Sequence, residues 1–213
     1  MSQSPSTIAE TSVAKGSHRK QQGSILSGML SMLILFAVPV VLYGLTAQGM
    51  QGTFRYWEYF ILFIALFSLG SGWNQVYLSR SSSLWYLVKQ VAHWGGLIGL
   101  LYVLNTQGIR MLMNDHQYTI LLTYLMAFTV ILAAINMDFK LIFFGGFLAY
   151  CAFLIAVPAN NQAVIAIGEQ FGIANPATHP LQVTLYVAGV ALVASLIVRM
   201  YIQSAAASKR ARS

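Results

Sequence analysis

The chain has 213 residues, 57% of them hydrophobic and only 8% charged, with a formal charge of +7 at neutral pH. A soluble domain carries about three times that share of charge, so the composition excludes an ordinary water-soluble globule and makes a lipid bilayer the solvent. The basic residues stand at the ends of apolar runs and in the tails, where they set membrane topology and do not form a nucleic-acid-binding face.

Residues 1–24 are polar, rich in Ser, Thr and Gln, with Lys15, His18, Arg19 and Lys20 just ahead of the first apolar run. This reads as a flexible cytoplasmic tail, and the run that follows is too long for the apolar core of a cleaved signal. The transmembrane domain is expected over 25–203, as six spans near 25–47, 57–78, 84–104, 118–135, 139–157 and 181–202. The first contains Pro39, which a membrane helix tolerates. The second opens on the aromatic residues Tyr56, Trp57 and Tyr59, which suit the bilayer interface. Between the fourth and fifth lies the short turn Asn136-Met-Asp138-Phe-Lys140, which predicts a tight antiparallel hairpin. The longest loop, 159–180, carries Asn160-Asn161 and Asn175-Pro176 turn signals around an apolar patch at 163–167, read as a short interfacial helix. Residues 204–213 form a basic tail. The fold class expected is an all-α polytopic membrane bundle.

Six spans put both termini on one side of the membrane. With that side cytoplasmic, Lys15, Arg19, Lys20, Arg80, Lys89, Lys140, Arg199, Lys209, Arg210 and Arg212 lie inside, and Arg55 and Arg110 outside. Basic residues gather on the cytoplasmic side, so this distribution supports the span count, the orientation and a cell (inner or plasma) membrane location together.

The third span holds Lys89 and His93, four residues apart on one helical face, about 7 and 13 Å from its cytoplasmic end. Lys89 can extend to the headgroups, whereas His93 lies near mid-bilayer. Ser71, Asn74 and Gln75 stand at similar depth in the second span, so these five residues are a candidate polar cavity facing the cytoplasm. The alternative is that His93 donates a hydrogen bond to a carbonyl or to Ser71 and fixes helix register. Gly70-Ser71-Gly72 with His93 has no third orienting group, which leaves no catalytic set. His116 and His179 each precede a span on the outer side and are weak candidates for a metal or haem pair. Glu10, Glu58, Asp115, Asp138 and Glu169 all fall in tails, loops or helix ends, so no mid-membrane carboxylate is present to relay protons. The lone Cys151 has no partner for an internal disulfide.

Small residues let helices approach closely in lipid. Gly95, Gly96 and Gly99 in the third span resemble Gly145, Gly146 and Ala149 in the fifth, each following a lysine near the cytoplasmic end. Parallel duplication of two hairpins would produce this pattern, as would convergence on small packing faces. The leading functional reading is a non-enzymatic accessory, assembly or interaction subunit of a membrane complex, partnered by lipid and by other membrane subunits or itself, with no cofactor called for. The alternative is a small transporter or channel built on the polar cavity. A third reading is a redox subunit using His116 and His179.

Overall fold

The computed structural model describes residues 29–79, 83–136, 139–157 and 162–210, and their side chains apart from residues 71–79, 83, 140, 203 and 205–210. The N-terminal tail, the start of the first predicted span and Asp138 lie outside the described residues. Among the described residues the protein is all-helical. Its helices are α1 (Met29–Ala47), α2 (Thr53–Ser79), α3 (Ser83–Thr106), α4 (Asp115–Asn136), α5 (Ile142–Ala156), α6 (Gln162–Gln170) and α7 (Pro180–Arg210).

Among the described residues four helical stretches are long and apolar enough to cross a membrane: Met29–Ala47, Leu84–Thr106, Asp115–Asn136 and Pro180–Ile202. At 1.5 Å per residue each reaches about 28–35 Å, which matches a hydrocarbon core of about 30 Å. α2 is longer, at 27 residues, but carries Arg55 and Glu58 in its first two turns. α5 has 15 residues and is preceded by a single tight turn, Phe139–Leu141.

The chain divides into two compact units at Leu35/Phe36. The described part of the first is the start of α1, residues 29–35, in which Met32 and Leu35 are buried. Everything else belongs to the second unit. There α4 and α5 form the most extensive helix pair, and α2 packs on α4 and α7 on α5. Gly145 is the reason α5 can lie so close to α4. A Cβ at that position would stand 2.6 Å from Ile131 Cγ1 and 3.1 Å from its backbone nitrogen. Aromatic rings fill the space between α1, α2 and α5: Phe36 meets Phe144 edge-on at 5.2 Å, and Phe60 meets the same ring at 6.4 Å. The fully buried Trp57 donates its indole N–H to Thr46 Oγ1 at 3.1 Å, which satisfies the only polar atom of that side chain.

α6 forms where the apolar patch of the long loop predicts a helix. Gly172, at φ 69°, closes it in a left-handed conformation, with Ile173 N–H bonded to the Gly168 carbonyl at 2.9 Å. Phe171 then stacks on Tyr186 of α7, ring centroids 5.5 Å apart.

Candidate functional site

α3 is the least enclosed of the four long apolar helices. Only 17% of its apolar window is buried, against 56% for α4. Its buried edge runs through Gln90, Trp94 and Leu97. Spacings of three and four residues put these side chains on one stripe of a helix.

Gln90 is the most enclosed polar side chain on that stripe, 1% exposed. Its amide oxygen accepts from Trp94 Nε1 at 3.0 Å and from Ser68 Oγ of α2 at 3.2 Å, and its nitrogen donates to Tyr86 Oη at 2.6 Å. An indole N–H can only donate, so the amide oxygen must face Trp94, and this fixes the direction of the other two bonds. A buried amide without such partners would be strongly unfavourable in an apolar interior. The network therefore sets the register of α3 against α2.

His93 sets it against α4. Its Nε2 lies 2.9 Å from the backbone carbonyl oxygen of Thr129. A carbonyl only accepts, so Nε2 carries the proton and donates. The imidazole also meets Trp94 edge-on, centroids 5.4 Å apart at 88°. Lys89 is exposed, with its ammonium 5.7 Å from the centre of the Trp85 ring one turn earlier. Of the predicted polar set, Lys89 and His93 thus share a helix but make contacts with different groups. Ser71, Asn74 and Gln75 continue α2 beyond Ser68, and their side chains lie outside those described.

The two glycine groups occupy different environments. Gly145 is pressed against Ile131, and Ala149 is half-buried. Gly95, Gly96 and Gly99 are exposed, and among the described residues a Cβ at any of them, or at Gly146, would meet no atom beyond the local helix backbone within 4 Å. The face of α3 opposite Gln90 and Trp94 is therefore a shallow surface of small residues, with the exposed Val88, Val91 and Val103 around it.

A second polar cluster lies where α2 and α4 begin. The Arg110 guanidinium sits 4.4 Å from the ring centres of both Phe54 and Tyr118. It pairs with Asp115 at 2.6 Å and donates to the Met113 carbonyl at 3.2 Å. Tyr118 in turn donates its hydroxyl to Glu58 Oε1 at 2.8 Å. An arginine between two aromatic faces with a carboxylate at its edge uses both the ring quadrupoles and a charge-assisted hydrogen bond. In the sequence Arg110 and Asp115 fall in the loop after the third span and Glu58 near the start of the second, with no local pattern to join them. For Gln90 the available signal was Tyr86, Gln90 and Trp94 at successive intervals of four.

His116 and His179, the two weak metal candidates, are exposed. Among the described residues no three His, Cys, Asp or Glu side chains come together as a metal-holding group. Comparison with protein-family models, with curated proteins and with solved structures gives no match for this chain.

Proposed function

We propose that the chain is a multi-pass integral membrane protein crossing the cell membrane six times with both termini cytoplasmic. In this reading it serves as a non-enzymatic accessory or assembly subunit, and α3 carries the face that packs against a partner helix. The observation that carries this reading is the open glycine face. α3 is held on its opposite side by the Gln90 network and the His93–Thr129 bond, which leaves Gly95, Gly96 and Gly99 open among the described residues. Helices in lipid associate chiefly through close backbone packing, since the hydrophobic effect does not distinguish a neighbouring helix from an acyl chain. Gly145 against Ile131 displays that mode of packing within this same molecule.

The six-crossing reading adds α2 and α5 to the four long apolar helices. α5 together with its preceding turn and Val157 covers 139–157, about the length needed to span a thin or locally thinned bilayer. The orientation rests on the distribution of lysine and arginine.

Gentle extraction of the full chain from native membranes tests the proposal. A particle larger than one copy, with a stoichiometric membrane partner or a second copy of the chain, is expected. A chain that migrates as a lone monomer in mild detergent and in reconstituted bilayers contradicts it.

A further inference from the structure

Met111 and Leu112 are the most exposed large apolar side chains among the described residues, at 89% and 83%. They sit in a short connection held in one shape. Gly108 opens a single tight turn over Ile109–Leu112, with Met111 N–H bonded to the Gly108 carbonyl at 2.9 Å. Arg110, which immediately precedes Met111 in the turn, is clamped by Phe54, Tyr118 and Asp115, with only 19% of its side chain exposed. Asn114 and Gln117 then exchange side-chain-to-backbone bonds at 2.8 and 3.1 Å, a reciprocal cap on α4. A loop fixed at three points around two solvent-facing apolar side chains presents them; it does not leave them to collapse inward.

We propose that Met111 and Leu112 insert into the outer interfacial layer of the bilayer and anchor the α3–α4 end of the molecule at a defined depth. The partner is lipid, and the inference rests on the membrane reading above. The connection joins two helices long and apolar enough to cross a membrane, one ending at Thr106 and the next starting at Asp115, so in that reading both of its ends lie at one membrane surface. A four-residue tight turn rises only about 6–8 Å even when it points straight out. Each headgroup layer is roughly 5–7 Å thick. The turn therefore stays at headgroup depth, beside an arginine and the aromatic residues Phe54 and Tyr118, residue types that suit that layer.

Site-directed spin labelling of the full chain in phosphatidylcholine–phosphatidylglycerol vesicles tests this. Cys151 is fully buried, so labels are placed singly through Met111→Cys, Leu112→Cys and, as a reference on the exposed face of α3, Ile98→Cys. Collision with oxygen, which partitions into lipid, is compared with collision with a water-soluble nickel chelate, calibrated against lipids labelled at the headgroup and in the upper acyl chain. The expected result is a depth between those two calibrants at 111 and 112, with Ile98 deeper. Dominant nickel access at 111 and 112 with Ile98 still in lipid overturns the anchor and leaves the membrane reading standing. Low collision with both reagents at 111 and 112 overturns it in favour of a protein partner covering the turn. Nickel access at Ile98 as well overturns both readings.

Discussion

Gln90 has its amide oxygen filled by two donors and its nitrogen engaged with Tyr86, inside a helix whose other side is open. Replacement by leucine keeps most of the volume and leaves Ser68 and the Trp94 indole N–H without their acceptor. Stranding a buried donor costs about 1–3 kcal/mol in water-soluble proteins, and interhelical bonds measured in membranes average about 0.6 kcal/mol. Gln90→Leu is thus expected to lower thermal stability in detergent by a few degrees and to loosen α3 from α2, seen as faster amide exchange in α3 alone. An unchanged melting point with unchanged exchange would show that the network contributes nothing. Gln90 was hard to single out in the sequence because attention in a membrane helix goes first to formal charge, and Lys89 and His93 flank it. The physical weight of an uncharged amide depends on its burial, which the primary structure does not display.

At the scale of elements, the α3–α4 connection is held mainly by Arg110. Its pair with Asp115 is modest, because the carboxylate is 57% exposed and screened by solvent. Each of the two aromatic contacts adds about 0.5–1 kcal/mol in a partly exposed setting. Arg110→Ala removes all of these together, whereas Asp115→Asn removes only the ion pair. The former is expected to speed proteolytic cleavage between Gly108 and Asn114 several-fold, with the latter close to wild type. Equal effects from both variants would assign the hold to the ion pair instead. This cluster was illegible in the sequence for a simple reason: Phe54 and Glu58 lie more than fifty residues before their partners, and no local pattern links them. The helices themselves were far more legible. Apolar length located α1, α3, α4 and α7, and the short sequence from Asn136 to Lys140 implied that α4 and α5 pack against one another, as they do. α6 followed from an apolar patch bracketed by turn residues.

For the whole molecule, the proposed topology places α1, α3 and α5 crossing outward and α2, α4 and α7 crossing inward. Single cysteines in the tails, at Ser6 and Ser208, are then expected to react with a membrane-impermeant maleimide only after the cells are opened. A cysteine at Gln107 is expected to react in intact cells. Reaction of the two tails from opposite sides would show an odd number of crossings and remove the six-span reading. The glycine motifs illustrate how far composition alone can carry a site. Both groups were readable as packing faces, yet only the structure separates Gly145, already seated on Ile131, from Gly95, Gly96 and Gly99, where among the described residues no neighbouring element comes within 4 Å of an added Cβ. The difference arises from tertiary neighbours, which two similar strings of small residues do not encode.

That separation also supplies the most direct test of the packing face. Gly95→Leu with Gly99→Leu adds side chains where, among the described residues, no atom outside the local helix backbone lies within 4 Å of the new Cβ positions, whereas Gly145→Ala forces a methyl against Ile131. The measurement is particle mass in mild detergent, taken beside the melting temperature, for wild type and both variants. The double leucine variant is expected to keep the wild-type melting temperature within a few degrees and to fall apart to the single chain. Gly145→Ala is predicted to lose about 1–3 kcal/mol of stability through overpacking and to keep its partner. A double leucine variant that retains the full-sized particle would contradict the assignment of α3 as the interaction face.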